Sequence, residues 1–420
     1  MSGAFAAAVR FGRLSDSLAI LVSAAAGLLL AGFPPLDSLR HLVDGSFTFL
    51  PIVLIICSAQ FFINVQRESG ALSAMARDLV IAFHRYPRVL LVLLMFLTVL
   101  PGALTGPGAA GQFAFGSLVS SLLLLMKLPR VKVAAFIAMG GVIGTFAPPI
   151  NVPAMIIAAG INMPYLGFFL PLLLLTVPLA VFSALYLGLR HLEGPLDREK
   201  AIQALPPIPE KMKGIRVYGP MILVVGLMVL SRLAPHSLPP IGVALMFLLG
   251  AAAAYLLGNR LKSPLAVSQE AFLETLEVNA VLLTVGALVQ AMAANGVRGL
   301  LVIGSISLPL YVLYSAIFIA CCFLGGVLGA FGVASIFGIP FMLALLGRDP
   351  ILATVGLSII ACVANIAPPT AVLGKSAMIL ADCRDPYSRF LTVSLVPNLA
   401  VGLLGLLLVI FADSLPFLRL

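Results

Sequence analysis

The stretch AMGGVIGTFAPPINVPAMIIAAG, residues 138–160, decides how this chain reads. It is apolar enough to cross a bilayer, yet a Pro-Pro pair, Pro148 and Pro149, interrupts it. A second stretch, SIIACVANIAPPTAVLGKSAMILAD at residues 358–382, carries the same interruption. Ala147-Pro148-Pro149 recurs there as Ala367-Pro368-Pro369, and AMIIAA is echoed by AMILAD after a three-residue offset. Proline has no backbone N–H and its ring clashes with the preceding turn, so a pair of them ends a helix and leaves upstream carbonyls without partners. Bare carbonyls are not tolerated in lipid and must line a cavity enclosed by protein. Such carbonyls can ligate a cation, and the N-terminus of the resumed helix favours an anion.

Each break is preceded by a glycine-interrupted apolar run: PGALTGPG at 101–108 lies within 88–126, and GGVLGAFG at 325–332 lies within 305–346. Further apolar spans are expected near 17–33, 47–65, 133–160, 169–189, 217–233, 241–258, 278–296, 350–380 and 390–412. The predicted fold is an all-α polytopic membrane protein built from two inverted repeats, each with a re-entrant hairpin and a discontinuous, proline-broken helix. The first repeat covers 1–190, with its hairpin at about 88–126 and its broken helix at about 133–160. Residues 191–216 form a polar cytoplasmic linker, and 217–240 a connecting span whose odd crossing inverts the second half of the chain. The second repeat covers 241–420, with its hairpin at about 305–346 and its broken helix at about 350–380. Inverted repeats with broken helices place a binding site near the bilayer midplane, the arrangement of secondary transporters.

Composition agrees. Hydrophobic residues make up 61% of the 420 positions and charged residues 10%, with a mean hydropathy of +1.15; a soluble domain carries about 25% charged residues. No signal-peptide pattern opens the chain, and 17–33 reads as the first span. The net charge of +9 suits positive-inside topology rather than a nucleic-acid partner. Arg85 and Arg88 open the 88–126 run, and Lys127, Arg130 and Lys132 close it, so a run that enters and returns keeps both clusters inside. With a cytoplasmic N-terminus, nineteen basic residues fall inside, Arg10, Arg13, Lys211 and Arg260 among them, and five outside: Arg40, Arg232, Arg298, Arg348 and Arg419. Cys57, Cys321, Cys322, Cys362 and Cys383 sit in or beside apolar runs without metal spacing and read as small buried hydrophobes.

On these residues the chain resembles the large membrane subunit of TRAP (tripartite ATP-independent periplasmic) transporters, within the wider ion-transporter superfamily. The resemblance is nearly full length: FTFLPIVLIICSAQFFINVQRESG at 47–70, GALTGPGAAGQFAFGSLVSSLLLLMK at 102–127, GTFAPPIN at 144–151 and IAPPTAVLGK at 366–375. GGVIGTFAPPIN is also similar to the break of the sodium–dicarboxylate symporters of that superfamily. The resemblance implies a bacterial inner-membrane importer of small organic acids, coupled to sodium and moving by an elevator-like shift of hairpins and broken helices against a scaffold. It implies a periplasmic substrate-binding protein and a small membrane subunit as partners, with sodium ions as coupling ions and no other cofactor; a stand-alone organic-anion symporter is the alternative. Carried over by position, one sodium site uses Gly102, Thr105, Gly106, Gly144, Thr145 and Pro148, and the other Gly326, Gly329, Asn365 and Ala367. The anion falls near Thr105, Asn151, Thr370 and Lys375. The first tip reads TGPGAA where the family is rich in serine, and Ile150 stands where it has a serine.

Individual residues leave choices open. Lys375 is the one basic residue inside an expected span; it serves the substrate, replaces a cation, or snorkels to the membrane face. Asn151 and Asn365 cap exposed backbone or act as ligands. Gln112 faces the site or another helix, whereas Asn64, Asn279 and Gln290 read as helix–helix bonds. Residues 67–85, with Ala71, Met75, Leu79 and Phe83 at four-residue spacing, read as an amphipathic helix on the inner surface. A membrane-embedded lipid-modifying enzyme would need a His, Asp or Glu cluster, and His41, His84, His191 and His236 are unpaired by spacing. A channel or scaffold subunit has no need of duplicated breaks. The charge pattern gives a direct expectation. In a background lacking the five native cysteines, a cysteine at Pro164 or Arg348 reacts with an impermeant external reagent. One at Glu199 or Arg130 reacts only after permeabilisation, and external labelling at Arg130 would break the first hairpin.

Overall fold

The computed structural model describes residues 14–415, except 193, 207, 210–211, 234–240, 259–261 and 369. Arg10, Arg13, Lys211, His236, Arg260, Pro369 and Arg419 therefore lie outside the described residues. Among those described, every regular element is helical, and the chain is an all-α polytopic membrane protein. Six helices are long and apolar enough to cross a membrane, Leu50–Glu68, Pro87–Thr105, Gly108–Leu125, Phe169–His191, Pro264–Ala294 and Tyr387–Ile410.

The first half runs α1 (Asp16–Leu30), α2 (Pro35–Phe47), α3 (Leu50–Glu68), α4 (Ala71–Phe83), α5 (Pro87–Thr105), α6 (Gly108–Leu125), α7 (Arg130–Phe146), α8 (Val152–Gly160) and α9 (Phe169–Gly188). The linker holds α10 (Arg198–Gln203), and α11 (Ile215–Leu233) comes next. The second half runs α12 (Val243–Leu257), α13 (Pro264–Ala294), α14 (Val297–Ile306), α15 (Leu310–Ile319), α16 (Gly325–Val333), α17 (Ile339–Ala344), α18 (Pro350–Cys362), α19 (Val372–Leu380) and α20 (Tyr387–Ile410).

The breaks fall where the prolines put them. α7 stops at Phe146 and α8 resumes at Val152; α18 leads through the 3₁₀ turn Val363–Ile366, and α19 resumes at Val372. Each resumed helix has nine residues, and each ends in a left-handed residue two positions later: Asn162 at φ 56° and Asp382 at φ 45°. The same offset of 220 residues relates Thr145 to Asn365 and Val152 to Val372. The AMIIAA and AMILAD segments are displaced from that register by three residues, so their likeness does not mark equivalent positions.

Contacts fix the relative direction of the two breaks. Arg130, at the start of α7, donates to the carbonyls of Ala381 and Asp382 just past α19, at 3.2 and 3.1 Å. The loop after α8 meets the start of α18, where a Cβ on Gly167 would stand 2.9 Å from Ile351 Cδ1. The two broken helices therefore run antiparallel. Arginine also closes both resumed helices, since Arg298 of α14 donates to Gly160 O as Arg130 does to Ala381 O, a favourable place for a cation at a helix C-terminus.

Two boundaries differ from expectation. The span placed at 278–296 is the second half of the 31-residue α13. Ser263 accepts from Ala266 N–H at 3.3 Å and Pro264 opens the first turn, so the helix starts where its caps lie. Its polar first half, SQEAFLETLE, hid it from hydropathy. Between α13 and the second hairpin lies a separate helix, α14, which the expected spans left out except for residues 305–306. Gly296 begins it at φ 79°, as Gly70 begins α4 at φ 80°. The linker is docked: Leu196, Ala201 and Met212 are buried, and Leu196 N–H donates to His84 O at the end of α4.

The hairpin tips stop at the breaks. A Cβ on Gly106 would overlap Val152, the first residue of α8. As α8 continues for nine residues past that point, about 13 Å at 1.5 Å per residue, the hairpin ends short of the far side of the broken helix. Limb packing is close: a Cβ on Gly102 would lie 3.0 Å from Gly144 Cα, and one on Gly111 would overlap Thr98 O. The second hairpin is less regular, with π-helical turns at Ala320–Leu324 and Ala334–Gly338 and a non-helical Gly329 at φ 64°. Nothing lies within 4 Å of a Cβ built on Gly329, so a side chain there would be strained by its backbone and not by crowding. Gly111→Ala should therefore lower stability by about 1–3 kcal/mol through crowding, and Gly329→Ala by about 1–3 kcal/mol through backbone strain alone. Thermal unfolding in detergent measures both; an unchanged Gly111→Ala would contradict the close limb packing.

Candidate functional site

The two breaks meet. Thr145, the penultimate residue of α7, is buried, and its hydroxyl donates to Gly141 O at 2.9 Å. The hydroxyl oxygen accepts Gly108 N–H, just past the first tip, at 3.2 Å. Asn365, its counterpart in the second half, accepts Ala330 N–H, just past the second tip, at 3.2 Å. The Asn365 amide Nδ2 then donates to Thr145 Oγ1 at 3.4 Å. Each break thus holds its own hairpin by a side-chain acceptor, and the two acceptors hold each other.

Beside this junction lies a cavity of ≈ 210 Å³. Its core wall is Pro107, Gly108, Ala109 and Phe113 of the first hairpin, Thr145, Leu328 to Phe331 of the second hairpin, and Asn365, Thr370, Val372, Leu373 and Ser376. Its scaffold wall is Ile20 of α1 with Glu274, Glu277, Val278 and Val281 of α13. Three helical segments open at this point: α6 at Gly108, the limb that follows Gly329, and α19 at Val372. Their N-terminal ends carry partial positive charge and suit an anion.

The residues predicted for the first sodium site come together around Gly102 and Gly144, and those for the second around the second tip. There, Gly326 O accepts both the backbone N–H and the hydroxyl of Thr370, at 3.0 and 2.7 Å, and a Cβ on Gly326 would overlap Pro368 O. Of all the predicted residues, Thr145, Gly329, Asn365 and Thr370 line the cavity. Thr105 is buried and donates to Pro101 O at 2.8 Å. Asn151 caps α8 by accepting from Ala154 N–H at 2.9 Å, and its Nδ2 donates to Ser358 of α18 at 2.8 Å. Lys375 is exposed on α19 and is not among the residues lining the cavity. Gln112 is buried and donates to Leu373 O at 3.0 Å, which binds α6 to α19.

Glu274 and Glu277 were not foreseen. They lie at i, i+3 in SQEAFLETLEVNAVLL, and a span begun at 278 left both outside the membrane. Caps at Ser263 and Pro264 were the signal that could have found them. Glu274 is tied to α3: Arg67 donates to it at 2.6 Å and Gln60 at 2.9 Å. Asn279 bonds to Cys57 Sγ at 3.1 Å, the helix–helix role expected of it. In the loop before α13, Lys262 holds its proton above the ordinary lysine range, first through Glu270 and then Glu68.

The fold is similar to that of the YdaH transporter of Alcanivorax borkumensis, at 16% identity over 90% of this chain and 88% of that one, with a TM-score of 0.61. It is also similar to MtrF of Neisseria gonorrhoeae, of a class of antimetabolite efflux pumps, at 16% identity over 90% of this chain and 84% of that one, with a TM-score of 0.60. No protein-family model and no curated protein matches the chain. These solved structures are described as a transporter and an efflux pump, not as TRAP large subunits.

The junction makes a testable energetic statement. Asn365→Ala strands the Ala330 N–H, and Thr145→Val strands that of Gly108, each worth about 1–3 kcal/mol. The two should couple by about 0.5–3 kcal/mol in a double-mutant cycle read by thermal unfolding; strict additivity would mean that the breaks are independent.

Proposed function

We propose that the chain is a secondary transporter for a small organic acid, coupled to sodium, that works by an elevator movement. The observation that carries the reading is the convergence of three half-helix N-termini on one cavity at a doubly broken point. That geometry supplies fixed positive ends for an anion without placing a full charge in the membrane. The two tip-to-break clusters supply backbone oxygens of the kind that take up sodium in such folds. An elevator is supported by how the helices are tied. Hairpins and broken helices are bonded to one another through Gln112, Asn151, Asn365 and Arg130. The helices α1, α2, α3, α12 and α13 pack mainly on one another, with fewer contacts to the hairpins.

The choice of relative decides the partners. A TRAP-like importer needs a periplasmic binding protein and a small membrane subunit; a stand-alone symporter needs neither. A second reading, export of an antimetabolite, is favoured by the fold likeness to MtrF. Purified chain in proteoliposomes tests all three. Uptake of labelled di- and monocarboxylates should rise with an inward sodium gradient, and Gly106→Val, whose side chain would overlap Val152, should bring it to background. Uptake by the chain alone selects the stand-alone symporter, and uptake only with a binding protein selects the importer. Efflux from loaded vesicles without uptake selects export. No sodium-dependent movement of any carboxylate in either direction overturns the proposal.

A further inference from the structure

Three glutamates succeed one another along α13 at spacings of four and three, Glu270, Glu274 and Glu277. Glu270 is paired with Lys262 at 2.8 Å and Glu274 with Arg67 at 2.6 Å. Glu277 has no ion pair or hydrogen bond among the described residues, and it lines the cavity. It lies one turn beyond Glu274, exposed at the cavity wall. Neutralisation of the first two acids concentrates the negative charge of this wall on Glu277. The facing elements contribute the N-terminal ends of α6, the limb after Gly329 and α19, all of the opposite sign.

A plain carboxylate seated at those helix ends would stand close to Glu277. Both would share one cavity of ≈ 210 Å³, where like charges repel. That volume, below the ~300 Å³ of drug-sized pockets, suits a small metabolite. Between the polar groups the lining is apolar: Phe113, Val278, Val281, Leu328 and Phe331.

We infer, on the basis of the transport reading above, that the cargo is a small zwitterion with an apolar body, of the chemical class of apolar α-amino acids. Its carboxylate meets the half-helix N-termini, and its ammonium meets Glu277. Such a molecule satisfies both walls and adds no net charge to the membrane interior.

The test uses the full-length chain in nanodiscs, with alanine, valine, leucine and phenylalanine, and for each its deaminated acid and its decarboxylated amine. Binding is read by equilibrium titration. An amino acid should bind on the order of tenfold or more tightly than either truncated analogue. Glu277→Gln should remove the preference for the amino acid over the deaminated acid, and Glu277→Asp should retain it. Equal binding of amino acid and deaminated acid by the unaltered chain overturns the zwitterion assignment while the anion-transport reading stands. A preference that survives Glu277→Gln also overturns it, as does a change confined to sodium dependence, which would make Glu277 a coupling-ion residue. Binding of none of the compounds overturns the zwitterion assignment, and the transport reading is then decided separately by the dicarboxylate uptake described above.

Discussion

The Asn365 amide and the Thr145 hydroxyl, 3.4 Å apart, join two helix breaks that neither half could stabilise alone. A proline pair in an apolar span frees backbone groups that lipid cannot satisfy. Each half answers with a hairpin whose tip is held by the polar side chain next to its own break, Gly108 by Thr145 and Ala330 by Asn365. Because these side chains also bond to each other, the two sets of freed backbone meet at one place. The antiparallel course of the broken helices, the glycine contacts that bring the tips in, and the cavity itself depend on that meeting. A single break would have produced a kinked helix; two in register produce an enclosed polar point within an apolar protein.

Much of this architecture is legible from a few residues. Pro148-Pro149 and Pro368-Pro369 announce discontinuous helices because proline chemistry is local and needs no partner to act. The glycine clusters around Gly106 and Gly329 announce hairpins, and their pairing with the breaks announces a repeat. Register was legible only from the prolines. The AMIIAA echo keeps its three-residue offset in the structure and carries no register, because alanine, methionine and isoleucine recur by composition in membrane helices. Thr145 and Asn365 could be singled out beside the breaks, where the structure brings them together, whereas cavity-lining residues from a distant element could not. Glu277 reaches the cavity from α13, and no local feature of SQEAFLETLE reports which cavity a helix will face. Asn151 was foreseen as a cap or a ligand; its amide is used by α8 and Ser358.

The repeats have similar parts and different packing. In the first hairpin, Gly102, Gly108 and Gly111 each bring backbone against backbone, so the limb has no room for a methyl group. The second has π-helical turns on both sides of its tip and open space at Gly329. Such turns are frequent at functional sites. The second tip is nevertheless closely packed on its break at Gly326, so the hairpins differ in helix geometry around the same junction. The helices α4 and α14 differ as well: α4 is packed beneath the docked linker, whereas α14 carries Arg298 to the end of α8.

The contact between Thr145 and Asn365 joins residues 220 positions apart, which has a consequence for synthesis. At 5–20 residues per second, roughly 10–45 s separate the appearance of the first break from that of its partner. During that interval α7 and α8 are already in the bilayer with their gap unanswered from the other side. The nascent first half must be shielded from lipid or held by the insertion machinery until α18 and α19 arrive. A chain truncated anywhere before residue 365 would therefore lack the partner of its first break.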